Sequence, residues 1–133
     1  MYRIRVPSYR AAGSDFMGMP MKYLCLEYGN EARVREIDDR ERVASAVRLK
    51  ASAEHALSAT LESVETATTV RVRNRRLSIT DGPFAATEEQ LVGLHVIEAH
   101  ELEEAIRIAA TLPTARVGCV EVRAIRPAAQ ARR

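Results

Sequence analysis

The 133-residue chain contains no tryptophan, only two cysteines and three histidines, and no apolar run near the ~18 residues of a membrane span. Each shortage removes a class of explanation. Cys25 and Cys119 stand alone, each inside a strand-like run, so they offer no disulfide framework and read as small buried hydrophobes. His55, His95 and His100 lack ligand spacing, so neither a metal nor another cofactor is expected. The six glycines are dispersed and form no phosphate loop, and no nucleophile-elbow pattern is present. A formal charge of +2 with scattered arginines argues against direct nucleic-acid binding. The stretch Met1-Tyr2-Arg3-Ile4-Arg5-Val6-Pro7 lacks the apolar segment of a secretory signal. A cytoplasmic protein with no membrane association is the expectation.

What remains is an ordinary globular balance, 47% hydrophobic and 29% charged, enough for one domain and small enough that dimerisation would help it. Lys22–Tyr28 reads as a strand apolar on both faces, broken by Gly29-Asn30. Asp38-Asp39 can cap a helix running to about Ala51, with Val43, Ala46, Val47 and Lys50 along one stripe. A strand near His55–Leu61 follows. Thr69–Arg73 and Arg76–Thr80 alternate, placing Val70, Val72, Leu77 and Ile79 inward and Arg71 and Arg73 outward, around an Asn74-Arg75 hairpin turn. Gln90–Glu98 is a further strand. A second helix opens at Ala99-His100-Glu101, carries Leu102, Ala105, Ile106 and Ala109 on one face, and stops at Pro113. Val117–Ile125 closes the order. Two helices among antiparallel strands predict an α+β sandwich.

The densest motif is Asp81-Gly82-Pro83-Phe84, a turn in which Asp can bond its own backbone, Gly accepts positive φ and Pro fixes φ. With the following Ala85-Ala86-Thr87-Glu88-Glu89-Gln90-Leu91 it resembles the signature of the DGPF proteins, a branch of the YCII-related family. Thr66–Arg73 before it and Val120-Glu121-Val122-Arg123 after it are also similar, so the resemblance covers roughly Met21 to Ile125. It implies three regions: an extension at 1–20, the YCII-related (DGPF) domain at 21–125 and a basic tail at 126–133. It also implies a ferredoxin-like fold with helices on one sheet face and a second copy on the other, making a homodimeric α/β barrel. A small-molecule cleft roofed by the DGPF loop would follow, and relatives often neighbour extracytoplasmic-function sigma factors.

Loops on a rigid scaffold often carry chemistry, so Asp81 is the candidate general acid or base. Its architectural reading is a strand connection with Phe84 plugging the core. On Leu91–Glu98, the positions Leu91, Gly93, His95 and Ile97 share a face on which His95 is the single titratable ring. His95 near Asp81 would make an acid–base dyad for neutral pH, against the plainer reading of a packed histidine. Gly82, Pro83, Phe84, Thr87 and Glu89 are the loop's candidate binding residues. Arg123 can pair with Glu121 along its strand. Arg71 and Arg73 can pair with Glu121 from neighbouring strands, or hold an anionic ligand.

The departures from the family pattern bear on this reading. Ala86 and Glu88 replace a Glu and a Lys, His95 stands where relatives carry an aromatic residue, and Ala124 replaces a proline. Asn74-Arg75 replaces Asn-Gly, and Ser52-Ala53-Glu54-His55 departs from Ser-Gly-His. An isomerase, lyase or hydrolase with acid–base chemistry is therefore one reading. A divergent ligand-binding or regulatory module linked to a sigma factor is the other, and a dimeric scaffold without chemistry is a third. The segment to residue 20, basic at Arg3, Arg5 and Arg10 and crowded by Met17 and Met19 before Met21, reads as an arm on the partner or as an upstream start read through.

Overall fold

The computed structural model describes residues 20–52 and 56–128. The expectations for His55, for the arm up to residue 19 and for the tail from residue 129 lie outside those residues. Six strands and four helices follow in the order β1 (Met21–Gly29), α1 (Glu31–Arg35), α2 (Asp39–Ser52), β2 (Leu57–Thr60), β3 (Thr68–Arg73), β4 (Arg76–Asp81), β5 (Gln90–Ala99), α3 (Leu102–Ala109), α4 (Thr114–Val117) and β6 (Cys119–Ala124). The main sheet is β2-β5-β1-β6, antiparallel throughout, and β3-β4 is a separate hairpin. With α2 between β1 and β2 and α3 between β5 and β6, this is an α+β arrangement consistent with a ferredoxin-like fold.

The element ends follow local chemistry. Asn30 leaves β1 with extended backbone and its side chain accepts from the Ala32 and Arg33 amides, which starts α1, a helix the apolar pattern is too short to announce. Asp38 Oδ1 accepts from the Arg40 amide ahead of α2. Pro113 ends the α3 segment as expected but also opens the one-turn helix α4, since its fixed φ suits a first helical turn. Asn74 and Arg75 both take positive φ, at 50° and 66°, making the two-residue hairpin turn whose twist matches the strands.

Period two on β1 and β5 sorts the core. Met21, Tyr23 and Cys25 face the helices, as do Ile97 and Ala99, and there they meet Leu49 of α2, Ala105 and Ala109 of α3, and Leu112. Four expectations change. The buried stripe of α2 is Ser45 and Leu49 with Arg42 and Ala46 beside it, whereas Val43 and Val47 are about 60% exposed. Choosing the stripe by hydrophobicity failed because polar Arg42 and Ser45 are the residues turned to the sheet. Val70, Val72, Leu77 and Ile79 are exposed rather than inward, since the hairpin stands apart from the main sheet, and Phe84 is 81% exposed rather than a core plug. Cys25 is buried but Cys119 is exposed, because its side chain falls on the sheet face away from the helices.

Leu49→Ala should lower the unfolding free energy by about 2–5 kcal/mol in a urea titration, the usual cost of truncating a core leucine. Val43→Ala on the outward side of the same helix should change it by less than about 0.5 kcal/mol. Equal losses would mean that the stripe lies where hydrophobicity alone places it.

Candidate functional site

Register brings three polar side chains to the helix-facing side of an apolar sheet. His95 of β5 lies directly opposite Cys25 of β1 on one flank and Ser58 of β2 on the other. Glu27, two residues beyond Cys25, lies opposite Gly93, so it must cross a diagonal to reach the imidazole. It does so: Glu27 Oε1 is 2.7 Å from His95 Nε2, and Ser58 Oγ is 2.7 Å from His95 Nδ1. The diagonal is open because Gly93 has no side chain. A Cβ there would stand 2.6 Å from Glu27 Oε1 and 3.2 Å from the Ala59 carbonyl oxygen.

The side chains of His95 and Glu27 are only 11% and 13% exposed, so their electrostatics are those of a partly desolvated pair. Burial pushes the Glu27 carboxyl up. The hydrogen bonds from His95 and Thr114, with the charges of His95 and Arg42, outweigh burial and hold it below its ordinary value of 4.5. Glu27 is therefore ionised at neutral pH and can only accept. Nε2 must then donate to it, which leaves Nδ1 of a neutral ring to accept the Ser58 hydroxyl proton. The chain Ser58–His95–Glu27 is thus a hydroxyl, a base and a carboxylate that fixes the base's tautomer, the roles of a nucleophile–base–orienter arrangement with the ring nitrogens interchanged. Cys25 takes no part as a nucleophile: burial, with the charge of Glu27 adding, pushes its thiol up to about 11.

The imidazole borders a cavity of about 250 Å³. Ser58, Ala59 and Thr60 of β2 form one wall, and Arg42, Ser45 and Ala46 of α2 another. Val34 and Ile37 lie at its α1 side, with Leu112, Pro113 and Thr114 closing the third. An Arg42 guanidinium N–H donates to the Val34 carbonyl, fixing α1 against α2 at the rim. Ser58 is exposed on the edge strand, so the hydroxyl end of the chain opens outward while the carboxylate end is shut in.

The DGPF loop lies elsewhere. Asp81 ends β4 opposite Thr68 and is exposed; both ring nitrogens of His95 are taken by Ser58 and Glu27, so the structure does not bring Asp81 and His95 together. Gly82, with φ 97°, donates its amide to Ala67 and receives the Thr69 hydroxyl on its carbonyl. Thr87 donates to the Glu89 carbonyl, and Gln90 Nε2 donates to the Ala85 and Thr87 carbonyls, so these residues tie the loop to itself. Pro83, Thr87 and Glu88 border an open depression beside Asn30 and Glu31 that is separate from the cavity. Glu89 lies with Tyr28, Cys119 and Glu121 around another depression, on the side of the sheet away from the helices. Arg123 approaches Glu121 to 3.9 Å along its own strand. Arg71 and Arg73 are exposed on the hairpin; β3 pairs with β4 and not with β6, which corrects the expected contact with Glu121. Among the described residues no cluster of His, Cys, Asp and Glu has the arrangement of a metal site, and no helix is long and apolar enough to cross a membrane.

Of the three residues in this hydrogen-bonded chain, the sequence reading singled out His95 but not Glu27 or Ser58. The available signal was a lone carboxylate in a strand apolar on both faces, together with a glycine two residues before the histidine, a mark of close approach within a strand. The family model described as the YCII-related domain matches residues 21–129. No curated protein matches the chain.

Two outcomes test the geometry. Gly93→Ala should separate Glu27 from His95 and cost about 1–3 kcal/mol, by crowding and by leaving a buried group unpaired. Loss of the downfield Nε2–H proton resonance would report the separation, and an unchanged resonance would refute it. Because Glu27 is held below its ordinary value, its contribution to stability is fully present above about 4.5 and is lost as pH falls through the lower folded value. Glu27→Gln should therefore flatten the acid limb of a stability–pH curve.

Proposed function

The chain belongs to the YCII-related family, and from that premise we propose that it is an acid–base enzyme acting on a small molecule held in the cavity beside His95. The observation that carries the reading is the double engagement of one imidazole, at 2.7 Å on each nitrogen, by an exposed hydroxyl and a buried carboxylate. His95 is the proton carrier, Glu27 orients it, and Ser58 is the hydroxyl through which the proton reaches substrate or which itself attacks. The acid–base pair is thus His95 with Glu27 rather than with Asp81. Positioned proton transfer of this kind contributes about 10²–10⁴-fold in rate.

Assignment to the DGPF branch rests on Asp81-Gly82-Pro83-Phe84 and its flanks, and in that branch the motif supplies a turn held by Gly82, Thr69 and Gln90. Homodimerisation is supported by the apolar hairpin face: Val70 pairs with Ile79 and Val72 with Leu77, each about 60% exposed, and exposed apolar surface of this kind marks an interaction site. A regulatory module in a sigma-factor context is the competing reading, and it predicts ligand binding without turnover.

A turnover screen over small activated esters and carbonyl compounds with an acidic α-proton tests the enzyme reading. His95→Gln should reduce any activity by about 10²–10⁴-fold. Ser58→Ala should match that loss if Ser58 is the nucleophile and fall short of it if Ser58 is a relay. Equal rates for wild type and His95→Gln would end the proposal. Light scattering at micromolar concentration should give twice the chain mass, and Ile79→Asp should return it to the monomer value.

A further inference from the structure

The cavity wall contributed by α2 holds a polar group with nothing to bond. Ser45 is 3% exposed, it lines the cavity, and its Oγ has no hydrogen-bond partner. An unsatisfied buried hydroxyl costs about 1–3 kcal/mol, so its retention in place of alanine on a core-facing helix position calls for an occupant that bonds it. Arg42 stands three residues earlier on the same face of α2 and lines the same cavity. One of its N–H groups is spent on the Val34 carbonyl, and a guanidinium has five.

The charges around the cavity narrow the occupant. Glu27 is satisfied by His95 and Thr114, and Arg42 is the one Lys or Arg among the described lining residues. Among the groups left to act on a ligand, the Arg42 N–H groups and the Ser45 hydroxyl can donate beside one positive charge, whereas the Ser58 hydroxyl gives its proton to His95 and offers a ligand only its oxygen. The guanidinium's charge also acts on Glu27, so the cavity has little positive charge to spare and a monoanion asks less of it than a dianion; its planar fork matches a carboxylate in two parallel bonds. A phosphate dianion would meet one cation in a space that already contains an ionised carboxylate. The volume of about 250 Å³ lies below the usual range for ligand pockets, roughly 300–1,000 Å³, which limits the occupant to a small metabolite.

We propose that the cavity binds a small carboxylic acid as its anion, with the carboxylate seated on Arg42 and Ser45 and the carbon chain directed toward Ser58 and His95. This rests on the reading of the cavity as the reaction site and names the substrate class for it: Arg42 and Ser45 recognise, and Ser58 with His95 act on the bond further along.

An NMR titration of the full chain with acetate, butyrate and hexanoate, each beside its primary amide, and with inorganic phosphate, tests the assignment without requiring turnover. The expected result is saturable shifts of the Ser45 amide and the His95 ring with at least one carboxylate, and at least about tenfold weaker binding of the matching amide. Arg42→Gln should weaken the carboxylate about tenfold or more, Arg42→Lys should restore part of that loss, and Ser45→Ala should weaken it several-fold. Arg42→Lys, which keeps the charge, separates recognition from collapse of the Val34 contact. Equal binding of acid and amide, tighter binding of phosphate than of any carboxylate, or affinities unchanged in both Arg42→Gln and Ser45→Ala would overturn the proposal, and the last of these would leave Ser45 to a buried water. Carboxylate binding without any turnover would remove the enzyme reading and keep this one, whereas His95-dependent turnover without carboxylate binding would do the reverse.

Discussion

A carboxylate set into the apolar, helix-facing side of the central strand β1 is the constraint around which this domain is arranged. An ionised group there is tolerated only when charge and hydrogen bonds replace lost water. Glu27 receives these from three directions: the His95 imidazole across the sheet, the Thr114 hydroxyl at the start of α4, and the charge of Arg42 from α2. Each donor sits on a different element, so one buried oxygen pair links β5, α2 and the turn after α3 to β1. Gly93 is part of the same solution, since a side chain at that point would occupy the path that the carboxylate takes.

The two polar systems of the chain divide form from reactivity. The DGPF segment spends its hydrogen-bonding groups on itself and on β3: the Gly82 amide on Ala67, the Thr69 hydroxyl on Gly82, the Gln90 amide on Ala85 and Thr87. Left over to act on another molecule are the exposed Asp81, Glu88 and Glu89 carboxylates and the Phe84 ring. The cavity behind β2 has the opposite character, with a hydroxyl lacking a partner and a base whose acceptor nitrogen points to an exposed serine. A motif that is conspicuous in sequence can therefore bond chiefly to itself, while the polar groups that meet at a cavity come from residues separated by tens of positions.

What was legible follows that division. Short apolar runs placed β1, β5 and β6, alternation placed β3 and β4, the Asn74-Arg75 turn declared itself by position, and the face of β5 shared by Gly93, His95 and Ile97 was assigned correctly. These are local signals, carried by neighbours in the chain. The Glu27–His95 contact depends on which strands lie side by side and in what register, information that no short window contains. The α2 stripe was misjudged for a related reason. Arg42 and Ser45 face inward because a polar cavity awaits them there, so hydrophobicity pointed to the wrong side of the helix. Departures from the apolar pattern, the lone Glu27 among them, mark the polar cluster beside the cavity, whereas the recognised motif lies apart from it.

Cys25 sits in the same row as this chemistry, directly opposite His95 and fully enclosed. A thiol raised to about 11 leaves roughly one in ten thousand molecules as thiolate at neutral pH, and the thiolate is the form that peroxide attacks. The sulfur nearest the candidate base is thus protected twice, by lack of access and by lack of charge. Cys119 on the far face is open to solvent and also raised, by burial first and then by Glu89 and Glu121. Oxidative modification would therefore mark the outside of the sheet before it reached the row that holds His95, leaving the interior of the domain indifferent to the redox state of its surroundings.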